Sequence, residues 1–551
     1  MKRLVAILLT LTLAFGSLSA CGANEETNPE SGNDTKVTTI GTIIQLSDNG
    51  VTVNGQKAPT DETATVYTAN DIVFYLEGQD FTYGEGTEAD EHSQAEADAH
   101  TVVHITQPGT YTISGELSAG QIAVDLGEDA EEDPEAVVTL ILAGVDITCT
   151  VAPAVMFYNV YECGSADTET ASETVDTSAA GANVILADGT TNTVNGSYVA
   201  RIYKPDSVEL SEDGTEVVDS KKLHKYDAAF YSKMSMNVDG ETEGTGILRI
   251  NAENEGLDSE LHLTINGGTI DIHSGNDGIN TNEDGVSVTT INGGTVIIAV
   301  TGETGEGDGI DSNGWLVING GKVAAAACAT SGDAGIDSDM GIHINGGTVM
   351  ATGNMLDSIE TGGQNYAVFH FAKRQSGGDK VISLKNAAEE ELMALAPVND
   401  YTCLIYSSPE LTAGEYTLWS HGIQLAHSGA GGMTGGRGMG GGERPEGMTP
   451  PDDQEMPRGT GFPGGMDQGK SRPEGGQRPA DDFQPNEDGT ITLPDGSTVD
   501  PAEMMPFAGQ EGGRRPGGEF NGAQPGSGEQ MTKFEITDGG NTFLSIVEVS
   551  E

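Results

Sequence analysis

Ile-Asn-Gly-Gly occurs four times in this chain, beginning at Ile265, Ile291, Ile318 and Ile344, at spacings of 26, 27 and 26 residues. A fixed period of that size marks a repeat architecture, in which each unit buries its apolar face only against its neighbours. A second element keeps register with the first. It reads Asn-Glu-Gly-Leu-Asp-Ser at 254–259, Asn-Asp-Gly-Ile-Asn-Thr at 276–281, Gly-Asp-Gly-Ile-Asp-Ser at 307–312 and Asp-Ala-Gly-Ile-Asp-Ser at 333–338, with weaker copies at 227–232 and 354–358. Between the two elements Leu261, Leu263 and Ile265 share one parity, and His262 and Thr264 the other. Period-two alternation means strands with one buried face.

Two or three short strands per 26 residues, with turns at fixed places, predict an all-β chain whose coils stack as a parallel β-helix, about 4.8 Å apart. Equivalent residues then form columns. Phe230, Leu257, Ile279, Ile310, Ile336 and Leu356 are expected to point inward. Ser232, Ser259, Thr281, Ser312, Ser338 and Ser358 form a hydroxyl ladder, and Asn266, Asn292, Asn319 and Asn345 an amide ladder able to hydrogen-bond along the stack. The paired glycines suit tight corners between sheets. A β-sandwich would not keep two motifs in register over near-equal spacings.

The period organises the rest of the chain. Residues 1–20 read as a signal peptide: Lys2 and Arg3, an apolar run from Leu4 to Phe15, then Leu18-Ser19-Ala20-Cys21. That run is too short to span a bilayer. The last four residues match a bacterial lipobox, which places a lipid on Cys21 and makes 21–38 an anchored tether. Residues 39–66 read as a small leading hairpin around Asp48-Asn49-Gly50, 67–365 as the β-helix with irregular first coils, and 366–427 as C-terminal strands with a helical candidate at 387–395. Residues 428–482 contain no Val, Ile, Leu, Tyr or Trp, and 428–530 is expected to be a disordered Gly/Pro/Met-rich insertion before final strands in 531–551. Acidic stretches at 84–100, 128–135 and 165–181 read as solvated loops.

The chain has 86 acidic and 25 basic residues, a net charge of −61. That excludes nucleic acid as partner, because phosphate needs clustered Lys and Arg. It leaves membrane contact to the lipid anchor alone; that anchor and the tether beside it place the protein on the outer face of a bacterial cell membrane. Export permits disulfides; Cys149 and Cys163 are close enough in sequence to pair, although buried thiols fit them equally.

Acids recur at fixed places in the repeat: Asp258, Asn280, Asp311, Asp337 and Asp357 in one column, Asp277, Asp308 and Asp333 just before it. Like carboxylates about 5 Å apart repel by roughly 3 kcal/mol at an effective dielectric of about 20. They therefore take up protons or bind cations, and hard oxygens at Gly-rich turns suit Ca2+. Trp315 points outward by parity and offers a platform for a sugar ring; His262 holds the matching place two coils earlier. No nucleophile motif is present, and Lys322 is the single Lys or Arg between Ile250 and Phe371.

Residues 108–125, 137–148 and 227–233, the Gly-Ile-Asp-Ser and Ile-Asn-Gly-Gly repeats and residues 401–416 resemble the clostridial-type cell-surface carbohydrate-binding β-helix family, which is similar in fold to pectate lyases. The resemblance implies a right-handed helix, bound calcium on turns matching Asp258, Asp277, Asp308, Asp311, Asp333 and Asp337, and binding of cellulose or acidic plant polysaccharide such as pectate without established catalysis. Asn280 departs from Asp, and Met355 stands where other coils have Gly. The expected protein is a calcium-stabilised, lipid-anchored polysaccharide binder, monomeric. Its rivals are a calcium-dependent polysaccharide lyase with Lys322 as base, and a non-catalytic surface adhesin.

Overall fold

Alternation of period two makes each repeat a set of short strands, and the constant period lets every inner residue rest on its counterpart one repeat later. The structure, a computed structural model, describes residues 41–378, 380–427 and 530–549, together with 491–492 and 498–499. The expected signal peptide, the Cys21 tether and nearly all of the 428–530 insertion lie outside these residues.

The described chain is all-β, and its strands form three long ladders. In the first, Ile44, Ile113, Leu142 and Leu186 pair in parallel register, followed further on by Val238, Ile265, Ile291, Ile318 and Ile344. The second stacks Ile147, Val194, Ile250, Ile272, Ile298, Ala325 and Ala351. The third stacks Ile122, Val155, Phe230, Leu257 and Ile279, with Ile310 joined by a parallel bridge. These inner residues line one continuous core. Ile291, Ile318 and Ile272 are wholly buried, and each such side chain contributes roughly 1.5–3 kcal/mol. The expected inward column holds from Phe230 to Ile336, while Leu356 is only partly covered. In the hydroxyl column Ser232, Ser259, Thr281, Ser312 and Ser338 are buried, and Ser358 is exposed.

The sheets are mixed because both ends of the stack change direction. Val66–Ala69 runs antiparallel to Thr101–Ile105 at one end. At the other, Tyr401–Ser407 runs antiparallel to Thr348–Gly353, the last parallel rung. A strand that reverses at each end satisfies an edge that would otherwise recruit another chain. The leading hairpin forms between Thr42–Leu46 and Thr52–Val53, and its first strand also extends the first ladder.

Each Asn-Gly-Gly corner uses its glycines differently. The second glycines, Gly268, Gly294, Gly321 and Gly347, have φ between 76° and 82°, the left-handed region. The first ones face the coil below: a Cβ on Gly293, Gly320 or Gly346 would lie 2.5 Å from the carbonyl oxygen of the Asn one coil earlier.

Beyond the stack a second core gathers Phe369, Phe534 and Phe543, with ring centroids 5.0–5.8 Å apart. The helix expected at 387–395 is instead a turn followed by the strand Glu391–Leu395. Met393 there pairs with Leu384 and is buried against it, so sheet packing overrides the local helical preference. Cys149, Cys163, Cys328 and Cys403 are free thiols.

Candidate functional site

The outer face of the first ladder carries its own columns. Thr139, Asn183, Asn237, Thr264, Thr290, Val317 and His343 follow one another in register on seven consecutive rungs. All seven line one groove of about 740 Å³. At about 4.8 Å per rung the column runs roughly 29 Å. Asn266, Asn292, Asn319 and Asn345 form the parallel rail beside it. Each amide donates to the one before, Asn292 to Asn266 at 3.0 Å, Asn319 to Asn292 and Asn345 to Asn319 at 2.9 Å. The expected amide ladder is therefore present, and it leaves further amide and carbonyl positions facing solvent.

Residues 173–178 wall the groove. Sequence reasoning treated 165–181 as a solvated loop, yet Thr177 is buried and its Oγ1 lies 2.7 Å from both Asn237 Oδ1 and Thr264 Oγ1. Nothing in the local sequence signals this, since the partners lie 60 and 87 residues away.

Trp315 stands two residues before Val317 on the same outward parity, half-buried, beside Gly341 of the next rung. It flanks the groove. His262 belongs to the same face but is 3 % exposed, so it offers no ring to solvent. The chain at Gly164 lies over it, close enough that a Cβ there would meet the imidazole at 2.7 Å. Val288 N donates to His262 Nδ1 at 3.2 Å, and burial pushes the imidazole pKa down to about 4. His262 is thus a neutral acceptor inside the fold, not a sugar platform. Lys322 is exposed at the start of Lys322–Ala326 in the second ladder and does not line the groove.

The acidic column lies on the third ladder. Asp258 is fully buried and in register with Asn280. Both its carboxylate oxygens accept from Asn282 Nδ2 at 3.0 Å. Asp277 accepts from the Asp308 amide at 2.6 Å, and Asp308 accepts from the Ala334 amide at 2.5 Å. Asp333 accepts from the Gly307 amide at 2.6 Å and from the Ser331 hydroxyl. These acids tie each turn to a neighbouring coil. Burial, with neighbouring carboxylates, raises the pKa of Asp308 to about 9, of Asp337 to about 7 and of Asp311 to about 6. Burial likewise lifts Asp277, Asp258 and Glu255 well above the ordinary value and raises Asp357.

Among the described residues, four buried acceptors on this column have no hydrogen-bond partner: Glu255 Oε2, Asn280 Oδ1, Asp337 Oδ1 and Asp357 Oδ2. Orphaned buried oxygens are rare and call for a proton, a water or a cation. The donor set is entirely hard oxygen and fits Ca2+ in kind. Among the described residues, however, no three His, Cys, Asp or Glu side chains converge as one ion site. Asp258, Asp277, Asn280, Asp308, Asp311, Asp333, Asp337 and Asp357 are therefore strung along the stack, and any single ion would have to draw on backbone or amide oxygens as well.

This is an all-β protein with stacked coils and a long polar groove along the stack. A family model described as a carbohydrate-binding domain-containing protein matches residues 99–368. A curated protein of Acetivibrio thermocellus with the same description is 28 % identical over 171 residues, 31 % of this chain and 44 % of the relative. The match thus spans less than half the length of that relative. A solved structure, the polysaccharide lyase-like protein from C. thermocellum as a gadolinium derivative, aligns over 58 % of this chain and 94 % of its own, at 21 % identity and a TM-score of 0.35.

Proposed function

We propose that this chain is a carbohydrate-binding protein that holds a polysaccharide in the groove of its first ladder. The carrying observation is the seven-rung outer column, Thr139 to His343, beside the asparagine rail. A polymer repeats along its axis, and so do these hydroxyls and amides. The groove has Glu173, Asp176 and Asp239 on its walls and no Lys or Arg. Electrostatics therefore favours a neutral, cellulose-like chain there over pectate. Trp315 extends the surface by one aromatic face. The carbohydrate-binding description of the matched family supports the same reading.

In this reading the three ladders are the sheets of a right-handed parallel β-helix, and Ca2+ neutralises the acidic column. Asn280, Asp337 and Asp357 contribute the oxygens that otherwise lack partners. The protein is a monomer held at the outer face of the cell membrane by lipid on Cys21. Among the described residues no helix is long and apolar enough to cross a membrane.

The test is retention on insoluble cellulose, xylan and pectate, with Thr290→Arg placed to fill the groove. Thr290 is an outward, partly exposed strand residue, so the core is left alone. Retention on a neutral polymer that falls at least tenfold in the variant, with an unchanged melting temperature, supports the reading. Failure to bind any of the three polymers removes it.

A further inference from the structure

The few cations of this chain are not scattered. Six of its 25 Lys and Arg residues fall within 201–233: Arg201, Lys204, Lys221, Lys222, Lys225 and Lys233. Three of these, Lys222, Lys225 and Lys233, line a second cavity of about 380 Å³ on the outer face of the third ladder. In a chain of net charge −61, gathering lysines at one cavity opposes the composition and needs a local cause.

The cavity is assembled from distant parts. Tyr158 belongs to the rung strand Val155–Asn159, while His224 and Tyr226 come from Lys222–Tyr226, which pairs with Val199–Tyr203 outside the ladders. The rings of Tyr158 and Tyr226 meet edge to face at 5.6 Å. Lys233 N donates to Phe157 O at 2.9 Å, which sets Lys233 one coil above Tyr158. The exposed side chain of Leu223 adds an apolar rim.

The cavity lining sets Lys222, Lys225 and Lys233 against Asp71, Asp125 and Glu260, and most of these groups already have hydrogen-bond or ion-pair partners. Lys222 pairs with Glu260 at 3.1 Å and Lys225 with Asp227 at 3.0 Å. Asp71 faces His104 at 2.8 Å, and Asp125 accepts from Asn159 Nδ2 at 2.8 Å. His224 Nδ1 and the Tyr226 hydroxyl share a 2.7 Å hydrogen bond. Two donors stay uncommitted: among the described residues the Lys233 ammonium makes no ion pair and the Tyr158 hydroxyl makes no hydrogen bond. One full positive charge and one phenol, both facing a cavity with aromatic and aliphatic walls, match an anionic group carried on a ring with an apolar face. The volume sits at the small end of ligand pockets, the size of one or two sugar rings.

We propose that this cavity is a separate site for an acidic sugar unit, a pyranose bearing a carboxylate or a sulfate ester, with Lys233 and Tyr158 donating to its charged group. It shares with the proposed function only the premise that the ligand is a saccharide. The groove, which lacks Lys and Arg, and this cavity would then read neutral and charged units separately.

The experiment titrates the full chain with galacturonate, galactose 6-sulfate and galactose. Either acid is expected to bind while galactose does not, and affinity should fall on raising the salt from 50 to 500 mM. Comparing the two acids separates carboxylate from sulfate. Lys233→Met and Tyr158→Phe should each weaken binding tenfold or more, Lys233→Arg should retain most of it, and Thr290→Arg should leave it unchanged. Failure of both acids to bind, equal binding of galactose, or full binding by Lys233→Met overturns the proposal. Polymer retention is read separately, so loss of the groove reading leaves this one standing, and the reverse.

Discussion

Thr177 and Thr264 are 87 residues apart, and their hydroxyl oxygens lie 2.7 Å from each other beneath the groove wall. Thr177 Oγ1 also lies 2.7 Å from Asn237 Oδ1, so its one proton faces an acceptor on each of two rungs. The wall is thus fastened to two rungs at once. Thr177→Val keeps the shape and removes both bonds, at about 1 kcal/mol each. Faster amide exchange across 173–178 is the expected result, with little change in the exchange of the ladders. Weaker polymer retention should follow, since the wall lines the groove.

Gly294 tests the corners. Its φ of 77° and its position, with a built Cβ 2.6 Å from Gly268 O, leave no room for a side chain. Gly294→Ala should destabilise by more than about 1 kcal/mol, since the strain adds to the clash. Calorimetry should show a drop of several degrees in melting temperature. An unchanged transition would mean the corner can relax.

The acidic column makes stability depend on pH in a definite direction. Asp311, Asp337 and Asp308 have folded-state pKa values of about 6, 7 and 9, above the ordinary 3.8. The folded chain therefore holds protons that the unfolded chain releases. The stability these groups contribute is complete below about pH 4 and is lost as pH rises through 6 to 9. His262 works in the opposite sense. Its pKa of about 4 means its contribution is present above about 6.5 and lost as pH falls through 4. In chelator, the melting temperature should peak near pH 4, because above that point three carboxyls outweigh one imidazole, and decline toward pH 9. Millimolar calcium should abolish the alkaline decline, because a ligand of the native state alone raises stability. A flat profile in chelator, or no effect of calcium, would mean the acids only shape turns.

His427 and Met531 exchange backbone hydrogen bonds of 3.0 and 3.1 Å, so the residues on either side of 428–530 sit side by side. Replacing 428–530 with a short Gly-Ser turn should leave the melting temperature within a few degrees. A collapse of the transition would show that the excised residues support the second core.

The proposed lipid anchor on Cys21 is the simplest reading to test. Cys21→Ser should release the protein from the membrane fraction into the medium, read by fractionation and by loss of the lipid mass.

Periodic features were legible in the sequence and scattered ones were not. The amide ladder from Asn266 to Asn345 and the left-handed glycines recur every 26 or 27 residues, so one copy predicts the next. Parity placed Trp315 on the outer face of its strand. The same parity misled for His262, because the chain that covers it, at Gly164, is nearly 100 residues upstream and carries no repeat. The lysine cavity was invisible for a related reason. Tyr158, His224 and Lys233 share no spacing and meet only because Lys222–Tyr226 folds back over the third ladder. Alternation marked strands throughout, but at 387–395 it was too brief to outweigh helix-forming residues.

Stacked coils also give this protein a unit of measure. Because every rung adds one outward residue to the column from Thr139 to His343, the grasp of the groove grows in equal steps. A gene that gains or loses one 26-residue segment lengthens or shortens the grip by a single rung while leaving the other contacts intact. On the proposed function, affinity for a repeating polymer is tuned like the teeth of a ratchet, by counting units instead of redesigning them.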